Sequence, residues 1–139
     1  MDNTKTQTPT VLVVENNAEV LDLVAAMVVS LGWKALPAAS IEEAHERLAG
    51  QPIDAVITDL VLGDGDGLAL IRELSHRGGK DVPSVMISSY ASPELRQTAQ
   101  RAGAIDLLPK PFRMERLSGL LESAMRERGF TAQSQPESA

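Results

Sequence analysis

The sequence predicts an α/β fold of five strand–helix units, (βα)5, forming a doubly wound five-stranded parallel sheet with helices on both faces. Three observations predict it. Five short runs, at residues 11–14, 33–36, 53–58, 84–88 and 105–108, are mostly β-branched and nearly continuous in hydrophobicity, the pattern of strands buried on both faces of a parallel sheet. Five longer segments carry apolar residues at helical spacing. The two kinds alternate strictly, which favours right-handed crossovers between parallel neighbours.

The elements follow in order. After the first strand, Val20, Leu21, Val24, Met27, Val28 and Leu31 form one helical stripe, and Gly32 is its stop signal. Asn16 is a candidate N-cap with Glu19 three residues on as its capping-box partner, and Asn17 reads as structural. Ser40 is placed to cap a helix over residues 41–48 that Gly50 ends. Asp66 can cap residues 67–77, with Leu70, Ile71 and Leu74 inward and Gly78 and Gly79 closing. Ser92, Pro93 and Glu94 open the fourth helix, with proline at its first position, and Gly103 closes it. Residues 113–128 form the fifth, with Leu117, Leu120, Leu121 and Ala124 on one face. Met27, Met86 and Met125 read as core filler.

The 139 residues, 43% hydrophobic, suit one domain over residues 10–128, between a flexible leader (1–9) and a flexible polar tail (129–139). No apolar run approaches the ~18 residues needed to span a bilayer. The absence of cysteine removes disulfides and thiolate chemistry, and a reducing cytoplasmic setting is the simplest reading. A net charge of −6 and 3% aromatic residues argue against direct nucleic-acid binding and against anionic membranes.

Ligand sites in such sheets lie beyond the carboxyl ends of the strands. There the sequence places Glu15, Asn16 and Asn17 after the first strand and Asp59 after the third. Ser88 and Ser89 follow the fourth, and Lys110 follows the fifth. Hard oxygen donors suit Mg²⁺, which takes one or two protein carboxylates and keeps several waters. An ammonium and a hydroxyl can meet phosphoryl oxygens, and a carboxylate can serve as nucleophile.

The segments VLVVENN, VITDLVLGDGDG, VMISSYA and LLPKPF, in that order, resemble the receiver domains of bacterial two-component response regulators. The resemblance spans residues 10–128 and implies a flavodoxin-like receiver topology. It implies Asp59 as phosphoacceptor from a histidine kinase or histidine phosphotransfer protein. It implies Mg²⁺ held by Glu15, Asn16, Asp59 and the Val61 backbone carbonyl. Ser88 matches the switch hydroxyl, and Lys110 the lysine that pairs with the phosphoryl group. Lys110-Pro111 matches a candidate cis bond. The implied partners are the phosphodonor and a downstream protein target, and homodimerisation is compatible with the family. The implied activity is signalling, not catalysis on an external substrate, although such domains assist their own phosphorylation and dephosphorylation.

Two positions depart from the family pattern. Asn16 stands where an aspartate is usual, and a neutral amide predicts weaker Mg²⁺ binding. Leu107 stands at the switch position usually held by tyrosine or phenylalanine, and predicts muted switching or a different output surface. A degenerate receiver, interacting with partners independently of phosphorylation, is therefore the second reading. A third is a flavodoxin-like or phosphohydrolase enzyme; Val61, where aspartate-based phosphohydrolases carry a second aspartate, disfavours it. The Gly63–Gly67 segment lacks the EF-hand spacing and reads as a flexible loop and helix cap. His45 and His76 lie too far from Asp59 to build a hydrolase, and no G-x-S-x-G is present.

Overall fold

A computed structural model describes residues 8–75 and 82–130. Strands β1 (Thr10–Val14), β2 (Lys34–Ala38), β3 (Ala55–Asp59), β4 (Ser84–Ser88) and β5 (Asp106–Pro109) alternate with helices α1 (Ala18–Ser30), α2 (Ile41–Gly50), α3 (Gly67–Ser75), α4 (Pro93–Ala102) and α5 (Met114–Glu127). The sheet is parallel throughout, in the order β2-β1-β3-β4-β5. The reversal of direction at β1 and β3 is what opens a crevice at the carboxyl edge.

Side-chain alternation sorts the two faces. Val11 and Val13 of β1, Ala55 and Ile57 of β3, and Val85 and Ile87 of β4 pack with Val24, Met27 and Val28 of α1 and Leu117, Leu121 and Met125 of α5. On the opposite face, Leu12, Val14 and Val56 meet Ala44 of α2 and Leu70 and Leu74 of α3. Met86 and Leu107 meet Ile71 and Ala99, under α3 and α4. All three methionines read as core filler are buried.

Several boundaries differ from the sequence reading. β2 runs to Ala38 through Pro37 and is half-exposed along much of its length. It is an edge strand, where a missing N–H is tolerated. Trp33, expected in this strand, precedes it and lies in the α1–α5 core. β5 begins at Asp106, leaving Ile105 at the surface. The cap of α1 is Asn17, not Asn16: Asn17 Oδ1 accepts from Val20 N at 3.0 Å. Glu15 Oε2 accepts from Asn17 N at 2.9 Å, so this buried glutamate supplies what Glu19 was expected to supply. Ser40 and Ser92 cap α2 and α4 as expected. Asp66 accepts from Ala69 N at the start of α3. The predicted end of α3 at Arg77, with His76, Gly78 and Gly79, lies outside the described residues. Phe130, assigned to the tail from sequence, is buried against the α1–α5 core.

Between β3 and α3 the expected flexible loop is a small antiparallel hairpin, Val61–Leu62 pairing with Gly65–Asp66. Leu62 fills the α2–α3 core, which pins the hairpin at its root.

Candidate functional site

Register alone brings the site together. Val14 pairs with Thr58, so the next residues, Glu15 and Asp59, emerge side by side. Asp59 pairs with Ile87, and Ser88 with Pro109, which places Ser88 and Lys110 at the same edge. Backbone bonds lock these ends: Leu60 N donates to Ile87 O at 3.1 Å, and Lys110 N to Ser88 O at 2.8 Å. The Lys110-Pro111 bond is cis.

The Lys110 ammonium lies between two carboxylates, 2.8 Å from Glu15 Oε1 and 2.9 Å from Asp59 Oδ2. Burial works against the ammonium's charge. The two paired carboxylates outweigh it and hold Lys110 above the usual lysine value. Glu15 is fully buried and Asp59 nearly so. Among the described residues, the partner of Glu15 Oε1 is the Lys110 ammonium, and the other Asp59 oxygen, Oδ1, receives only a long 3.4 Å contact, from Val61 N.

Ser88 is buried at the end of β4, and its Oγ accepts from Tyr90 N at 2.9 Å. Ser89 is exposed. Asn16 is exposed, and its amide bonds to nothing among the described residues. Val61 is 53% exposed beside Asp59. Leu107 is not at this edge: it is buried one layer below, against Ile71, Met86 and Ala99. His45 is distant, paired across α2 and α3 with Glu73 at 2.9 Å. Sequence reasoning missed two contributors: Glu15 as the partner of Lys110, and Gly67, whose backbone lies so close to the Asp59 carbonyl that a side chain could not fit there. A glycine opening a helix next to the acidic strand end was the available signal for the second.

The donors suit a hard divalent cation. Two carboxylates, one amide oxygen and one backbone carbonyl are all oxygen ligands, and Asp59 Oδ1, with its long 3.4 Å contact from Val61 N, keeps acceptor capacity that a cation would use. Among the described residues there is no cluster of three or more His, Cys, Asp or Glu able to hold a metal, so any such ion would rest on few charged ligands. A nucleophilic carboxylate oxygen, a fixed ammonium and a hydroxyl at one strand edge can together accept and neutralise a phosphoryl group.

The chain is 33% identical over 125 residues to the response regulator protein PilR of Pseudomonas aeruginosa, covering 90% of this chain and 28% of that protein. It spans 24% of an NtrX-like protein of Rickettsia bellii and 58% of the transcriptional regulatory protein PrrA of Mycobacterium bovis, so these relatives are much longer than this chain. The receiver domain of NtrX from Brucella abortus superposes with a TM-score of 0.76 at 31% identity, covering 84% of this chain and 98% of that one. A response regulator from Thermotoga maritima gives 0.77 at 28% identity, over 86% and 99%. Residues 11–122 match the family model of the response regulator receiver domain, and with the strand-end geometry above they show that this chain belongs to that family.

Proposed function

We propose that Asp59 accepts a phosphoryl group from a histidine kinase or histidine phosphotransfer protein, with Mg²⁺, in the cytoplasm, and that the phosphorylated domain changes its affinity for a downstream protein. Receiver domains are signalling modules rather than classical enzymes, and they generally bind Mg²⁺ at their acidic pocket. No described helix is long and apolar enough to cross a membrane. The observation that carries the reading is the Lys110 ammonium set 2.9 Å from Asp59 Oδ2, with Ser88 at the adjacent strand end.

In this reading the Asp59 oxygen not held by Lys110 forms the new P–O bond. The bond from phosphorus to the donor's imidazole nitrogen breaks, and its electron pair stays on that nitrogen. Lys110 and Ser88 neutralise and hydrogen-bond the phosphoryl oxygens. Asp59, the Val61 carbonyl, Asn16 and Glu15 would hold Mg²⁺, which when bound supplies charge neutralisation at the phosphoryl oxygens. Glu15 has a second role, holding Lys110 in place. The folded receiver is assigned to residues 10–128, extended at its C-terminal end to Phe130, which packs against the α1–α5 core.

The degenerate reading keeps one observation in its favour. Leu107 already lies in the α3–α4 core, 3% exposed, with no surface position from which to swing inward. Incubation with Mg²⁺ and a small-molecule phosphodonor, followed by intact-mass measurement, separates the two. A phosphoryl adduct absent from Asp59→Asn supports the phosphoacceptor. No adduct at high Mg²⁺, in this protein and in Asn16→Asp alike, leaves the phosphorylation-independent interaction module.

A further inference from the structure

The tip of the Val61–Asp66 hairpin reaches across to a different helix. Asp64 Oδ1 accepts from Ile41 N at 2.9 Å and Asp64 Oδ2 from Glu42 N at 3.0 Å. Ser40 Oγ takes the next amide, Glu43 N, at 3.1 Å, and Glu43 Oε1 reaches back to Ala39 N at 2.8 Å. The otherwise unpaired amides of the first turn of α2 are thus satisfied, two of them by a residue 22 and 23 positions away. The carboxylate also sits where the helix dipole favours negative charge. These two amides hold Asp64 below the usual carboxylate value, so it is ionised at neutral pH.

The same hairpin carries the site. Its first residue, Val61, donates to Asp59 Oδ1 and offers the carbonyl assigned to the cation. Its root is fixed by Leu60 N on Ile87 O, by Gly67 N on Leu60 O, and by buried Leu62. Its tip contains Gly63 and Gly65, residues with much backbone freedom to lose. A side chain at Gly65 would crowd Ile41. At the tip, therefore, the side-chain bonds that restrain the hairpin run from Asp64 to α2.

We propose that Asp64 is a positioning residue for the phosphoacceptor site: by fastening the hairpin tip to the N-terminus of α2, it fixes the Val61 backbone against Asp59. This rests on the cation reading above. It makes α2 a lever on the site, since anything that displaces the first turn of α2 also releases the hairpin.

The test compares Asp64→Asn and Asp64→Ala with Ser40→Ala. All three weaken the start of α2, but only Asp64 belongs to the hairpin. Two readouts are taken by NMR: amide shifts and exchange at Val61 and Leu62 without metal, and a titration with Mg²⁺ alone. The expected result is perturbed Val61 and Leu62 amides in both Asp64 variants. Their half-saturating Mg²⁺ concentration should rise by about tenfold in Asp64→Ala, the low end for a residue that orients a ligand from behind. Asp64→Asn, which keeps one acceptor oxygen, falls between. Ser40→Ala should lose thermal stability with the hairpin amides and Mg²⁺ response unchanged. Equal effects from Ser40→Ala, or unchanged Val61 and Leu62 amides in Asp64→Ala, overturn the proposal. If the unsubstituted protein shows no Mg²⁺ response, the cation reading fails, and the metal-free amides still decide whether Asp64 positions the hairpin.

Discussion

Lys110 Nζ stands 2.9 Å from Asp59 Oδ2, joining strand ends 51 residues apart in the chain. The same ammonium faces Glu15, so one cation serves two buried carboxylates. Lys110→Ala would leave both without it. Removing one partner of a buried pair costs about 3 kcal/mol, and urea denaturation should show a loss of that order. The double variant Lys110→Ala/Glu15→Gln should recover a clear part of it, because one of the stranded charges is gone. A loss within error of zero in the single variant would mean that the pair is fully solvated.

The pH dependence of this pair has a defined sign. Lys110 is raised above its ordinary 10.5. Its contribution to stability is fully present below that value and is lost as pH rises through the higher folded value. Stability above pH 10 should therefore fall more steeply in the unsubstituted protein than in Lys110→Ala.

Asn16→Asp adds one negative charge at a predicted ligand position. At an effective dielectric of 20, a unit charge at 4 Å interacts by about 4 kcal/mol with another, before desolvation removes much of it. We expect Mg²⁺ to bind about tenfold more tightly, a change of about 1.4 kcal/mol, and calorimetric titration of the two proteins measures it. Equal affinities would place Asn16 outside the cation site.

Gly67→Ala puts a methyl against the Asp59 carbonyl, which is backbone and cannot readily yield, and against the buried Thr58 side chain. Overpacking of this kind costs about 1–3 kcal/mol. The melting temperature should fall, and the Asp59 and Leu60 amide signals should move. An unchanged melting temperature with an unshifted spectrum would mean that the methyl fits without displacing Asp59.

Asp106 opens β5 and binds arginines from both neighbouring helices, Arg96 of α4 at 2.6 Å and Arg116 of α5 at 3.1 Å. Burial works against its charge, yet the Arg96 hydrogen bonds, the Leu107 amide and the two guanidinium charges hold its carboxyl below the ordinary 3.8. Its stabilising contribution is present above 3.8 and is lost as pH falls through the lower folded value. Acid titration of stability should be steep below pH 4 and flatter in Asp106→Asn. Identical acid limbs would show that other carboxylates dominate there.

The order of elements, the five strands and the strand-end placement of Glu15, Asp59, Ser88 and Lys110 were legible because hydrophobic period and turn chemistry are local properties. Apolar runs read as strands buried on both faces, and β1, β3 and β4 are buried at every position. The same reasoning failed at β2, whose partial exposure from Lys34 to Pro37 follows from its place at the sheet edge, a fact of topology. It also assigned the α1 cap one residue early, because choosing between Asn16 and Asn17 depends on where the buried Glu15 carboxylate reaches.

By itself, then, the sequence determined the fold class and which residue types gather at the carboxyl edge. Tertiary structure alone decided who pairs with whom. Glu15 and Asp59 converge on Lys110, Arg96 and Arg116 on Asp106, and Asp64 on the first amides of α2. These partners are 10 to 95 positions apart in the chain and carry no shared period. Only parallel register and helix packing bring them within hydrogen-bond distance, where short-range polar forces act.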